Sequence, residues 1–337
     1  ELEIGYGLLS FADENYDDGG LLRRVTMVRR QIALELGLVL PHVRIRDNIQ
    51  LTPTAYSIKI RGMEIARGEI MVGHYLAMDP GIVTQPVPGI ETTEPAFGLP
   101  ALWIAETEKE RAEIAGYTVV DPVSVVVTHL TEVIRRHAAE LLGRQDTANL
   151  IENVRKKEPA VVDELIPNLM TIGEVQRVLQ NLLREGVSIR NISLILEALG
   201  DYAGKTRDPE MLTEYARASL ARVISRQYRN PNGEIVVATV DPGIEERIIQ
   251  LIEESRDTGI SGSDFDFSQA VVSGVAGMAK KMAMDGYQPI ILTRPGVRFY
   301  LKRTIERVLP NVVVLSYSEI TDDEKVRSVG MVSLSEN

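Results

Sequence analysis

The segment G-D-Y-A-G-K-T, from Gly200 to Thr206, contains the residue types of a phosphate-binding loop. In such loops, glycines let backbone amides approach a phosphate, and a lysine followed by a threonine contacts the outer phosphates and a magnesium ion. Here three residues separate the two glycines where the nucleotide-binding pattern needs four, and a helical pattern precedes the segment where a strand is required. We therefore interpret Gly200 and Gly204 as the end of a helix followed by a turn, and we expect no cofactor.

The other residues that could do chemistry do not form a catalytic or metal-binding pattern. His129 and His137 share a predicted helix, but eight residues separate them, which is too far for a shared metal ion. A lone histidine on a largely apolar helix is typical of a packing residue. The chain has no cysteine and no G-x-S-x-G nucleophile motif. The sequence predicts a protein that is not an enzyme; an α/β hydrolase or nucleotide-binding enzyme that uses the C-terminal domain is the less favoured alternative.

The net charge of the chain argues against one class of partner. Acidic residues outnumber basic residues 48 to 37, which gives a formal net charge of −11. Nucleic-acid binding needs a lysine and arginine surface that neutralises phosphates, so we expect no nucleic-acid partner. The sequence has no apolar run of the ~18 residues needed to span a bilayer and no signal peptide. Because it begins at Glu1 without an initiator methionine, we expect a piece of a longer protein, whose missing part can include a membrane region.

Hydrophobic periodicity predicts the main elements. Apolar residues spaced three to four apart indicate an amphipathic helix that ends at Gly37, and alternation between Val43 and Met78 indicates an antiparallel sheet. A charged helix over Glu106 to Ala115 precedes a short strand. Three helices are predicted to begin at an aspartate followed by proline, because the carboxylate accepts first-turn amides and proline needs no partner there. These pairs are Asp121-Pro122, Asp208-Pro209 and Asp241-Pro242.

The order of these elements predicts an α+β fold with several subdomains. We expect an α/β first subdomain (1–72 with 122–141), a small inserted α/β subdomain (73–121), a helical third subdomain (142–228) and an α/β fourth subdomain (229–337). The fourth follows from alternating strands and helices after residue 234. Acidic loops are expected over 13–20 and 257–266.

A loop rich in proline and glycine interrupts this pattern. The run E-P-A-F-G-L-P-A-L-W-I, from Glu94 to Ile104, cannot continue a helix, because its two prolines remove backbone donors and favour extended neighbours. Phe97 and Leu99 are expected on a loop that enters a strand near residue 101. Either Phe97, Leu99 and Trp103 anchor that loop to the core, or the loop forms a partly exposed binding patch. The loop pattern leaves both interpretations open.

Several motifs together resemble the FlhA family, the export-gate proteins of flagellar type III secretion. The resemblance extends over most of the chain to about Tyr228 and is weaker beyond it. It rests on the joint occurrence of motifs in order, a specific signal although each is weak alone. The motifs that carry the resemblance are R-R-Q-I-A-L-E-L-G from Arg29, the run from Glu94, G-Y-T-V-V-D-P from Gly116, T-H-L-T-E-V-I-R-R-H-A from Thr128 and V-L-Q-N-L-L-R-E-G-V-S-I-R from Val178.

The resemblance implies the cytoplasmic domain of a bacterial inner-membrane protein, whose transmembrane part is absent from this chain. It implies a docking platform that assembles into a ring, generally of nine copies, and contacts other export components. Its partners would be flagellar export chaperones with filament-type substrates. The injectisome homologue of virulence secretion is the closest alternative.

In this family, a hydrophobic dimple between the first two subdomains receives the chaperones. Its motif positions fall on Glu94, Phe97 and Thr128, and we add Val120 and Val125 as wall residues. Family members often have aspartate where Glu94 stands. Gly5 and Gly7 form a candidate hinge, because glycine adopts dihedral angles closed to other residues; an ordinary strand turn is the equally supported alternative.

Overall fold

The computed structural model describes residues 1–13, 20–258 and 265–334. Of the acidic loops predicted over 13–20 and 257–266, residues 14–19 and 259–264 lie outside the described residues. The loop prediction is wrong for Gly20 and for residues 257–258 and 265–266, which are helical. The chain forms two compact units. The first contains Glu1–Thr147 and Leu182–Arg190, and the second contains Ala148–Asn181 and Asn191–Asn337. The predicted α+β class is confirmed, whereas the finer division into four subdomains stays a prediction.

The first unit contains a four-stranded sheet in the order β2-β1-β3-β4. Strand β3 pairs antiparallel with β1 and β4, but β1 and β2 are parallel. The single antiparallel sheet predicted for residues 43–78 is therefore wrong in its pairing, because alternation reveals a strand and not its neighbour. Its elements are β1 (Leu2–Ile4), a 3₁₀-helix (Tyr6–Ala12), α1 (Gly20–Leu36), β2 (Ile45–Asp47), β3 (Ala55–Ile60) and β4 (Met63–Glu69).

A second, antiparallel sheet in the same unit has the order β6-β7-β5-β8. Its small core contains Ala77, Val87, Ile104 and Ala112. The charged helix ends at Gly116, whose φ of 98° suits glycine. The elements are β5 (His74–Met78), β6 (Ile90–Thr93), β7 (Pro100–Ala105), α2 (Lys109–Ala115) and β8 (Thr118–Val120).

Helix α3 (Pro122–Arg136) follows the second sheet and begins as predicted. The Asp121 carboxylate accepts a hydrogen bond from the Ser124 amide at 3.0 Å, and Pro122 occupies the first turn. The helix ends at His137, and a separate short helix follows it. The next helices of the chain are α4 (Ala138–Leu141) and α5 (Arg144–Arg155).

The middle of the chain is helical. Thr171 and Glu174 form a capping box, with the Glu174 amide donating to Thr171 Oγ1 at 3.2 Å and the Thr171 amide donating to Glu174 Oε2 at 2.7 Å. The Asp208 carboxylate accepts from the Glu210 amide at 2.9 Å. The helices are α6 (Pro159–Leu165), α7 (Ile172–Arg184), α8 (Ile192–Ala203), α9 (Pro209–Ser219) and α10 (Ala221–Gln227).

The second unit contains a parallel sheet in the order β11-β10-β9-β12. Strand β12 was not predicted; most of its residues are exposed because it lies at an edge. The elements are β9 (Glu234–Val240), α11 (Pro242–Thr258), α12 (Phe265–Met284), β10 (Ile290–Thr293), α13 (Pro295–Ile305), β11 (Val313–Ser316) and β12 (Lys325–Val332). Across the described ranges, no helix is long and apolar enough to cross a membrane.

Candidate functional site

The loop between β6 and β7 is closed by the carboxylate of Glu94. This side chain is 3% exposed, and it accepts hydrogen bonds from the amides of Ala96 at 3.0 Å and Phe97 at 2.7 Å. Backbone hydrogen bonds from Glu94 to Leu99 and from Gly98 to Glu94 complete the turn. Gly98 has a φ of 70°, which side-chain-bearing residues rarely adopt. The sequence E-P-A-F-G therefore encodes a rigid turn.

This turn exposes two apolar side chains. Phe97 is 57% exposed and Leu99 is 52% exposed, whereas Trp103 on the following strand is 6% exposed. The two interpretations that the sequence left open therefore divide between residues: Trp103 anchors the segment to the core, and Phe97 and Leu99 form an exposed apolar patch. Neighbouring exposed apolar residues on an ordered loop are typical of an interaction surface.

Arg136 connects α3 to this loop. Its Nη2 donates to the Ala96 carbonyl at 2.8 Å, and its Nε donates to Glu132 Oε1 at 2.9 Å one turn earlier in the same helix. The Glu132 carboxylate thus orients a guanidinium that holds the loop backbone. Sequence reasoning missed Arg136, because forty residues separate it from its acceptor and no local pattern reveals the contact.

A buried polar pair lies between β3 and α3. Tyr56 Oη and His129 Nδ1 are 2.8 Å apart, and the two rings meet edge to face. Burial raises the pKa of the Tyr56 hydroxyl, and the Glu94 charge raises it further. Burial also lowers the pKa of His129, an effect that Glu94 opposes. His129 is therefore a satisfied packing residue, as predicted.

The other predicted dimple residues differ in exposure. Thr128 is exposed on α3, and Val120 is half-buried at the end of β8. Val125 is 2% exposed, so its side chain supports the surface from inside. The oxygens of Glu94 bind loop amides, so the carboxylate shapes the loop and does not face a partner. The exposed members are thus Phe97 and Thr128.

The candidate hinge has a different structural basis from the one expected. Gly5 has φ −68° and ψ 159°, which any residue adopts. A Cβ atom at Gly5 would lie 2.2 Å from the Thr52 carbonyl oxygen, and one at Gly7 would lie 2.8 Å from that of Pro53. The dihedral argument is therefore wrong for Gly5, because close backbone packing is what requires glycine there. Hinge motion itself stays a prediction.

The glycine-rich segment that begins at Gly200 forms the end of a helix. Gly200 lies inside α8 and Gly204 at its C-terminal cap, so a helix and not a strand precedes the glycine-rich segment. Within the part of the chain that the structure describes, no three His, Cys, Asp or Glu side chains are grouped to hold a metal ion.

The chain shares its fold with solved proteins, one of which is a domain from a type III secretion system. It matches the CdsV protein of Chlamydia pneumoniae with a TM-score of 0.86 and 26% identity, over 99% of this chain and 96% of that one. It also has the fold of the nonameric EscV cytosolic domain from the type III secretion system, with a TM-score of 0.73 and 22% identity over 98% and 96% of the two chains.

Sequence comparison then identifies the family. The FHIPEP family profile matches residues 1–325, and the chain belongs to this family. The flagellar biosynthesis protein FlhA of Bacillus subtilis is 46% identical over 334 residues, which are 99% of this chain and 49% of that protein. The chain thus spans about half the length of the relatives that it matches.

Proposed function

We propose that this chain is the cytoplasmic docking platform of a flagellar type III export gate. Its ligands are export chaperones that carry filament-type substrates, and the binding site is the dimple around Phe97. The observation that carries the proposal is the exposed Phe97 ring on a turn that the buried Glu94 carboxylate fixes. A preorganised aromatic anchor lowers the entropy cost of binding.

The division of roles follows from exposure. Phe97 and Leu99 offer apolar contact to an amphipathic chaperone helix, and the exposed Thr128 hydroxyl offers a hydrogen bond at its margin. Glu94 and Arg136 act indirectly, because both hold the loop backbone. Such a small patch suits moderate affinity, which permits release as well as capture.

Flagellar export is favoured over the injectisome alternative because the matching relatives named FlhA share 36–46% identity with the chain, whereas the matching CdsV structure shares 26%. The EscV domain of the same fold is nonameric, which supports a ring of this chain in the whole protein. The solved complex of CdsV with CdsO supports contact with other export components. Membrane attachment would come from the half of the relatives that this chain does not span, and no catalytic step is part of the proposed role.

Calorimetric titration with a flagellar chaperone–substrate complex tests this function. Phe97→Ala is expected to weaken binding by roughly 30-fold, the equivalent of about 2 kcal/mol for a hot-spot aromatic. Thr128→Met is expected to weaken it by placing a larger side chain at the margin. Ile114→Ala, which removes an 86% exposed side chain on α2, is the control. Equal affinity of the parent and Phe97→Ala would refute the dimple assignment.

A further inference from the structure

A cleft of about 580 Å³ lies within the second unit, and none of its lining residues belongs to the dimple. Helices α8 and α9 contribute Tyr202, Glu210 and Tyr215, and helices α11 and α13 contribute Leu251 and Phe299. Its volume is in the range of sites that take a drug-sized group or a few side chains. The proposed docking function makes no use of this cleft.

Two stacked tyrosines form part of its lining. The rings of Tyr202 and Tyr215 are 3.8 Å apart between centroids with an interplanar angle of 5°. Each ring limits the movement of the other, so the lining is ordered before any ligand arrives. On α13, the Arg303 guanidinium lies 5.8 Å from the Phe299 ring centroid. Rigid aromatic surfaces of this kind bind apolar groups with little loss of side-chain entropy.

Acidic side chains outnumber basic side chains in the described lining of the cleft. Among the described residues that line the cleft, Asp208, Glu210 and Glu214 carry carboxylates and Arg303 alone carries a positive charge. Glu214 is matched from beneath by the buried Arg298, whose Nε and Nη2 lie 2.7 and 2.5 Å from its oxygens.

Glu210 lies under the influence of both the Asp208 charge and the Arg303 charge. Burial raises the pKa of Glu210, and the Asp208 charge adds to this effect, while Arg303 opposes it. Ionised Glu210 is thus under-compensated, and a bound cation would stabilise it. The nearby Lys205 is occupied differently, with its Nζ 4.6 Å from the Tyr202 ring centroid.

We propose that the cleft binds a basic amphipathic segment of a partner protein. An aromatic or aliphatic side chain of that segment packs against the tyrosine pair, and an adjacent lysine or arginine pairs with Glu210. The apolar lining and the excess carboxylate select this combination over a neutral or acidic segment. The site is independent of the dimple, so chaperone binding at Phe97 does not require it.

Methyl NMR of the whole chain tests the proposal, with the Met211 methyl group in the lining as reporter and Met211→Leu to assign its resonance. The probe is N-acetyl-Phe-Arg-amide, compared with the Phe-Gln and Phe-Glu analogues. We expect a saturable shift of the Met211 resonance with Phe-Arg, and affinity about fivefold weaker for Phe-Gln. Glu210→Gln is expected to remove the preference for Phe-Arg over Phe-Gln. Glu164→Gln, at an exposed site on α6, should retain it.

The outcomes separate cleanly. No saturable Met211 shift with any probe would overturn the site, and equal binding of the Phe-Arg and Phe-Glu probes would overturn the role of Glu210. Tyr215→Leu provides a second check, because loss of the ring pair should weaken all three probes. Unchanged binding in that variant would also contradict the proposal. Thermal melting of each variant shows whether it is folded.

Discussion

Replacement of Glu94 tests how the exposed loop is held. The carboxylate accepts two amide hydrogen bonds, at 3.0 and 2.7 Å, from a position 3% exposed to solvent. A hydrogen bond to a charged group contributes about 1.5–3 kcal/mol, so Glu94→Ala should destabilise the closed turn by about 3 kcal/mol. Glu94→Gln keeps one acceptor oxygen and loses the charge, and should cost about half as much.

Amide hydrogen exchange measures this change in the stability of the closed turn directly. At about 1.4 kcal/mol per factor of ten, Glu94→Ala should speed exchange of the Ala96 and Phe97 amides by roughly 100-fold, with a smaller effect for Glu94→Gln. His129 provides a second reading, because loss of the Glu94 charge removes an influence that raises its pKa. The pKa of His129 should therefore fall in Glu94→Gln.

The matched control is Glu91→Gln, at an exposed position on β6, the strand that leads into the turn. It should change neither the exchange of the loop amides nor the pKa of His129. Parental exchange rates at Ala96 and Phe97 in Glu94→Ala would refute the reasoning, because the turn would then be closed by other contacts.

Three further predictions concern stability. Gly68→Ala places a Cβ atom 2.3 Å from Tyr56 Oη, so it should destabilise the first unit by about 1–3 kcal/mol in urea unfolding. Burial lowers the pKa of His129 in the folded state, so below the ordinary pKa of 6.5 the unfolded chain binds more protons at this side chain. Stability should therefore fall as the pH decreases below that value, and less so in His129→Gln. Glu319→Gln should cost about 3–5 kcal/mol, because Arg217 and Glu319 form an ion pair with both side chains nearly inaccessible. Adding Arg217→Met should recover part of that loss in a double-mutant cycle.

Each of these predictions has a clear opposing result. Gly200→Ala is the control for Gly68→Ala: its Cβ atom would meet nothing within 4 Å, so alanine in α8 should stabilise by up to about 1 kcal/mol. Equal stabilities of the two variants would contradict the packing argument. An identical pH dependence in the parent and His129→Gln would exclude the histidine as its source. Strict additivity in the double-mutant cycle would show that the ion pair does not couple the two side chains.

Local signals in the sequence predicted the helix starts correctly. The carboxylates of Asp121, Asp208 and Asp241 accept first-turn amides at 3.0, 2.9 and 2.8 Å, because a cap involves only residues two or three positions apart. Strand pairing was less predictable. Strand β5 lies in the same predicted β segment as β3 but joins another sheet, and most residues of the edge strand β12 are exposed, a pattern that resembles a loop.

The site was predictable in position and not in mechanism. Proline and glycine around Phe97 indicated a loop but left its exposure open, and the structure shows that the Phe97 ring is exposed. The Glu94 carboxylate turns toward the loop amides, and Arg136 donates to the Ala96 carbonyl. Both contacts depend on tertiary geometry, because no repeating pattern in the sequence marks either side chain. The resemblance proposed the dimple residues, and the structure separates the exposed Phe97 from the residues that hold its loop.

The central claim is that chaperone–substrate complexes dock on the loop around Phe97. Hydrogen exchange of the whole chain, measured with and without a saturating flagellar chaperone–substrate complex, tests it without any substitution. If the complex docks on this loop, hydrogen exchange should be slower at residues 94–99 and around Thr128 on α3 in the complex. Unchanged exchange in both segments, with protection elsewhere in the chain, would contradict it.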